Sequence, residues 1–231
     1  MTTIFRLCTA IALSALVFIP AQAAGLADIS NKDANAGLKE ALTKGARAAV
    51  AQLGKQDGFL KNERVRIPLP DSLHKVEGMM RGLGMGKYAD ELVTTMNRAA
   101  ESAVVEAKPL LVNAVKNMSV QDAKAILGGG QDAATQYFKR TTAAPLTEKF
   151  LPIVAKATQK VKLADKYNEF AGKGAKFGLV DAQDADLNRY VTRKALDGLY
   201  LMIAEEEKKI RQDPVGAASS IIRKVFGAIG K

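Results

Sequence analysis

Residues 119–142 read SVQDAKAILGGGQDAATQYFKRTT, and the punctuation of this stretch decides the fold. Ser119 and Asp122 have the S-x-x-D form of a helix start, in which the hydroxyl accepts an N–H three residues on and the carboxylate reaches back. The helix this predicts is short and ends at Leu127. Gly128, Gly129 and Gly130 then free the backbone three residues in a row, and a second helix opens near Gln131 and Asp132. The stretch is a helical elbow. Beyond it Ala133, Tyr137 and Phe138 face one way, and Lys139-Arg140-Thr141-Thr142 close the helix with cations at its negative end. Glycines ahead of a helix start can also present free N–H groups to an anion. Gly129, Gly130 and Gln131 are therefore an anion-binding candidate, beside the plainer reading of a turn between helices.

Upstream, Lys87 to Met118 carries the longest helical pattern. Tyr88, Leu92, Met96, Ala99, Ala103, Ala107, Leu110, Ala114 and Met118 keep one apolar stripe at helical spacing. Alanines in its middle let another helix come close, which predicts a central helix. Pro109 removes a backbone bond and crowds the carbonyl of Val105, which predicts a kink or break near Ala107. Beside the narrow middle stand Asn97, Arg98 and Glu101. They read as a polar constellation facing a pocket, or as an intrahelical Arg98–Glu101 ion pair.

Earlier, Leu38, Leu42, Ala46, Ala49 and Leu53 form the stripe of a helix that starts at Gly37 and ends at Gly54. Phe59 to Asp71 (FLKNERVRIPLPD) alternates Val65, Ile67 and Leu69, while Pro68 and Pro70 forbid a central strand. This is an extended connector, either lining a cleft or running as an exposed strap. Leu73 to Leu83 is a short helix holding His74, the chain's one histidine. His74 and Glu77 make half a metal site at most, so a surface histidine is expected and no metal. Gly78, Gly82, Gly84 and Gly86 do not follow a strand and read as a helix–helix turn rather than a phosphate loop.

Downstream, Pro145 and Pro152 bracket LTEKFL, and Ile153 to Tyr167 reads as a separate lysine-rich helix. Phe170 to Asp186 breaks the pattern and is the place for a lid or mobile loop. Asp186 caps a helix over Leu187–Arg211, with Val191, Ala195, Leu199, Met202 and Ile203 facing the core. Glu205–Lys209 and Glu207–Arg211 are spaced as i, i+4 pairs on a solvated face. Asp213-Pro214 opens a last helix, Val215–Ile229, with Arg223 and Lys224 opposite its apolar side. That helix docks on the bundle or touches a membrane surface. The expected fold is all-α: a single compact bundle of about seven to nine helices with kinked central helices and no significant sheet.

The first segment reads as an address. Arg6, the apolar run Leu7–Ile19 and Ala21-Gln22-Ala23 have the form of a signal peptide, which predicts cleavage of residues 1–23 and a helical domain over 24–231. The single cysteine, Cys8, lies inside that segment, so the mature chain has no disulfide, thiol catalysis or thiolate metal site. The chain holds 34 basic and 24 acidic residues, a net charge of +10. Lys139–Lys176 (nine basic, three acidic) and Lys208–Lys231 (six and one) carry the excess. Export to the periplasm or beyond removes nucleic acid as a partner and leaves anionic lipid, envelope polysaccharide or an acidic protein.

GFLKNERVRIPLPDSL, MGKYADELVTTMNRAAE, DAKAILGGGQDAATQYFKRTT, LTEKFLPIV and KALDGLYLMIAEEEKKIRQDPVGAASSIIRKVFG together resemble the exported bacterial family known as domain of unknown function number 4197. The resemblance implies an envelope protein of helical fold and brings no catalytic residues with it.

With one histidine, no mature cysteine and no H-E-x-x-H or Ser/His/Asp pattern, the usual hydrolytic and metal mechanisms lack their parts. The expected function is a periplasmic helical binding protein without cofactor, holding an apolar or amphipathic, lipid-like envelope molecule between helices. Asn97, Arg98, Glu101, Tyr137 and Arg140 are its candidate ligand-binding residues, with cations meeting the head group. The alternatives are an interaction protein that binds another envelope protein, with peripheral membrane contact allowed, and a carboxylate-based glycan hydrolase. A closed apolar cavity would favour the first, an exposed apolar patch the second, and two carboxylates across an open groove the third.

Overall fold

The computed structural model describes residues 31–178, 180–181, 184–213 and 220–229. The expected signal segment, residues 1–23, lies outside them, as do the start of the last helix at 215–219 and the side chains of Arg223 and Lys224. Nine helices form among the described residues, and no strand. They are α1 (Asn31–Leu53), α2 (Asp71–Gly82), α3 (Gly86–Val104), α4 (Ala107–Lys116), α5 (Val120–Leu127), α6 (Ala133–Thr158), α7 (Lys162–Lys176), α8 (Leu187–Gln212) and α9 (Ser220–Ile229). The fold is the all-α bundle the periodicity predicts, around one contiguous apolar core.

Its centre is α6 against α8, with α3 packed on both and α1 on α8. The small face of α3 does what alanines allow: Ala99, Ala100, Ala103 and Val104 are all buried. The Pro109 break falls at Val105–Glu106, between α3 and α4. Pro109 thus sits in the first turn of α4, where its missing N–H has no intrahelical acceptor to lose. The break also shifts the apolar phase by one residue. In α4 Leu111 and Val115 are buried, while Leu110 and Ala114 of the continuous stripe are only partly covered.

The elbow forms as read. Ser119 Oγ accepts the Asp122 N–H at 3.0 Å, and Asp122 accepts the Ser119 N–H, closing a reciprocal cap on α5. Gly129 is required by space: a Cβ there would lie 2.6 Å from the Ala125 carbonyl and 2.7 Å from the Ala133 Cβ.

Two readings of the middle of the chain change. The helix after the elbow does not close at Thr142. It runs on through Pro145 and Pro152 to Thr158, and the break comes at 159–161 instead. The prolines are seven residues apart and both lie off the buried face, so the carbonyls they free, on Thr141 and Glu148, belong to exposed residues that water can reach. The ring bends the helix without burying an orphaned acceptor. The second change concerns the connector. The expected extended run holds only over residues 66–70: before it the chain turns twice, the Phe59 carbonyl accepting the Asn62 N–H and the Asn62 carbonyl accepting those of Val65 and Arg66, and Phe59, Val65, Ile67 and Leu69 are buried while Arg64, Arg66 and Pro68 are exposed. It is a strap laid across α3 and α8, not an exposed loop. Gly198 of α8 lets it come close, since a Cβ there would meet the Phe59 ring at 2.8 Å. The last helix docks: Val225 and the Ile221 carbonyl close on Gly37 of α1, and Ile222, Val225 and Phe226 are buried.

Candidate functional site

The polar residues singled out on α3 are brought together, but around the strap. Asn97 is 0% exposed. Its Oδ1 accepts the Ile67 N–H at 2.8 Å, and its Nδ2 donates to the carbonyls of Ile67 (2.9 Å) and Val93 (2.8 Å). Glu101 Oε1 accepts the N–H groups of Phe59 and Leu60, both at 3.1 Å. Its Oε2 takes Arg98 at 2.6 Å, and Arg98 reaches on to Asp57, also at 2.6 Å. Hydrogen bonds from Lys61 and then Arg98 hold the Asp57 carboxyl below its ordinary range. A side-chain amide and a carboxylate here replace the ladder that a proline-containing strap cannot form with a neighbouring strand. Their polar atoms are engaged by the chain itself.

Tyr137 and Arg140 sit together at the elbow, apart from that set. The Tyr137 hydroxyl donates to the Ala114 carbonyl at 2.7 Å, and Arg140 lies over its ring while pairing with Asp122 at 2.9 Å. None of these five residues lines the groove described below.

The start of α6 does attract an anion, and the chain supplies it. Glu207 of α8 accepts the N–H of Ala134 at 3.0 Å and of Thr135 at 2.9 Å, together with the Thr135 hydroxyl at 3.0 Å. Arg211 pairs with Glu207 at 3.0 Å, donates to the Ile126 carbonyl at the end of α5, and lies over the Phe226 ring of α9. The Glu207–Arg211 pair is thus a buried node joining α5, α6, α8 and α9, not part of a solvated face. Lys209 pairs with Glu206, and Glu205 with Arg64 of the strap. Gly130 and Gln131 are exposed, and the bound N–H groups lie past them.

His74 is a surface histidine between Asp71 and Glu77. No group of three or more potential metal ligands exists among the described residues.

The residues that open onto space lie elsewhere. A groove of about 790 Å³ runs between α6 and α8. Its apolar wall comes from Ala143, Leu151, Leu196 and the Tyr200 ring; its charges are Lys139, Glu148, Arg189, Arg193 and Asp197. Thr142 and Tyr200 share a hydrogen bond, as do Thr158 and Asn188, which fixes the two helices antiparallel. Lys139 then lies over the Tyr200 ring at one end, and Arg189 and Arg193 stand at the other. Burial pushes the Tyr200 hydroxyl above its ordinary pKa, partly offset by Thr142. Beside the groove, the Tyr190 hydroxyl is pushed up to about 12 by burial and donates to the Pro68 carbonyl. Arg193 pairs with Asp184, whose carbonyl accepts from the Tyr167 hydroxyl. The expected connector is therefore shorter and better anchored than Phe170–Asp186 suggested, because α7 continues to Lys176.

Sequence reading missed the groove because its parts are some 50 residues apart and neither helix alone marks it. The one local sign was Arg189, Arg193 and Asp197 at four-residue spacing on a helix whose next face is core.

No helix among the described residues is long and apolar enough to cross a membrane. A comparison with curated proteins and with solved structures gives no match. The model of a family described as a protein of unknown function, DUF4197, matches residues 28–227. The chain belongs to that family.

Proposed function

We propose that the protein is a helical binding module of the cell envelope that holds a lipid-like amphiphile in the groove between α6 and α8. The groove carries this reading. Its volume of about 790 Å³ lies within the range of small-molecule sites, and it offers an apolar wall beside charged ends. An interior site is disfavoured by size: the cavity bounded by Leu38, Phe138, Ile203 and Phe226 measures about 20 Å³, room for about one water. The closed apolar cavity expected of a ligand held between helices is thus not met, and the proposed ligand lies instead along the open groove of two helices. The leader-like residues 1–23 support an envelope location. A glycan hydrolase would use Glu148 and Asp197 as acid and base, but both are exposed, whereas a glycosidase's acid sits in a desolvating pocket.

Native mass spectrometry of protein purified without detergent tests the proposal. A discrete added mass that extracts as lipid is expected, lost in Ala143→Trp, which fills the groove, and kept in Arg140→Met at the elbow. An apo mass that stays apo after incubation with envelope lipid overturns it.

A second reading, contact with another envelope protein, draws on the tip where α2 meets α3. Met79, Leu83, Met85 and Tyr88 are exposed there, and Arg81 braces the hairpin against Asp90 at 2.6 Å. Leu83→Lys separates the two readings, since it leaves lipid occupancy unchanged.

A further inference from the structure

The groove's charges are of both signs and come in order: Arg189 and Arg193 at one end, the carboxylates of Asp197 and Glu148 in the middle, and Lys139 over the Tyr200 ring at the far end. Along α8 come Arg189, Arg193 and then Asp197, each four residues from the last and on one face; from Arg193 to Asp197 the helix rises about 6 Å. The antiparallel register brings Glu148 of α6 to a level between Arg193 and Asp197 of α8. Neither carboxylate has a hydrogen bond or ion pair among the described residues, unlike Glu101 and Glu207. At the cationic end, Arg193 gives only one side of its five-donor fork to Asp184, and its Nε is buried with no partner. Thr192, 1% exposed, also lines the groove, and its hydroxyl oxygen has no partner either. Both atoms are closed off from the groove, with the Arg193 guanidinium lying over the Tyr190 ring, and what Arg193 presents to the groove is the accessible edge of its fork beside Arg189.

We infer that the groove selects a zwitterionic head group, an aminophospholipid's phosphate joined through two carbons to a primary ammonium. This rests on the proposed amphiphile site and names its ligand class. The phosphate meets Arg189 and the open edge of the Arg193 guanidinium; the ammonium, one helical turn away, meets Asp197 and Glu148; the acyl chains follow the wall formed by Leu151, Leu196 and Tyr200. A purely anionic head would leave both carboxylates facing negative charge. A purely cationic one would face Arg189 and Arg193 with like charge.

The test uses dihexanoyl lipids below their micellar concentration, titrated into the full mature chain and followed by calorimetry. Dihexanoyl phosphatidylethanolamine is expected to bind about tenfold more tightly than the matching phosphatidylglycerol, the scale of one charge-assisted contact. The double variant Glu148→Gln/Asp197→Asn is expected to lose that preference while keeping its helical circular dichroism, its affinity for phosphatidylglycerol rising as the like charges are removed. Free phosphoethanolamine is expected to bind far more weakly than the lipid; equal binding would overturn the lipid assignment and leave a soluble phosphate ester as the ligand. Equal affinity for the two lipids, or a preference that survives in the double variant, overturns the zwitterion inference alone. Binding of no lipid overturns the amphiphile site as well.

Discussion

Four carboxylates on α3, α6 and α8 fall into two pairs that differ in every respect except chemistry. Glu101 and Glu207 are buried, each accepts two backbone N–H groups from a distant segment, and each pairs with an arginine three or four residues along its own helix. Glu148 and Asp197 are exposed, line the groove and meet no partner among the described residues. The first pair replaces hydrogen bonds that the backbone cannot make locally: the strap has no neighbouring strand, and α6 starts after three glycines without a side-chain cap of its own. The second pair does nothing for the fold. A carboxylate that folding uses is saturated by the chain, so the carboxylates left open are the ones free to meet a ligand.

The sharpest way to break that contrast is at Glu207. Glu207→Ala leaves Arg211 buried beside no counter-charge and orphans the N–H groups of Ala134 and Thr135 at once. A loss of about 3–5 kcal/mol is expected in urea denaturation. A loss below about 1 kcal/mol would mean that water replaces the carboxylate, and the node would not be a clamp.

Asn97 follows. Asn97→Leu keeps the bulk but leaves the Ile67 N–H and carbonyl buried without partners, an expected loss of about 2–3 kcal/mol. Limited proteolysis should then cut within residues 59–70 before any other described segment. Cleavage elsewhere with the strap still protected would show that Phe59, Val65 and Ile67 hold it by packing alone.

How much of this was legible follows from the range of the interactions. Helices, the elbow's cap at Ser119 and Asp122, the Asp186 cap and the Pro109 break are set by residues within one or two turns, and local spacing predicts them. Local sequence does not decide between a buried and an exposed strap, because burial of Val65, Ile67 and Leu69 depends on Asn97 and Gly198, which lie far along the chain. Pro145 and Pro152 were read as helix ends, since one sequence does not say whether the freed carbonyls face water or the core. Glu207 and Arg211 show an i, i+4 spacing that fits a solvated pair equally well; only the arrival of the α6 N-terminus distinguishes them. The groove was the least legible feature, being made entirely by packing α6 against α8.

Acid offers a milder probe of the clamps at the surface. Asp57, lowered by Lys61 and Arg98, and Asp122, lowered chiefly by the Ser119 hydroxyl, both titrate below the ordinary carboxylate range when folded. The unfolded chain therefore binds protons first as pH falls. Their contribution is full above the unfolded value of about 4 and is lost as pH drops through the lower folded values. Urea midpoints between pH 7 and pH 3 should fall most steeply below about pH 4, and Asp122→Asn should flatten that fall. An unchanged slope would place the acid sensitivity in other carboxylates.

The smallest expected effect bears most directly on function. Glu148→Gln/Asp197→Asn removes two exposed charges with which no described residue pairs, so the change in unfolding free energy should stay within about 0.5 kcal/mol, as for surface substitutions away from caps and cores. The same double change is expected to alter ligand choice, and that combination separates a group kept for binding from one kept for folding. If instead stability drops by more than about 1 kcal/mol, these carboxylates are structural like Glu101 and Glu207. The groove's charge pattern would then reflect the packing of α6 on α8 rather than a head group.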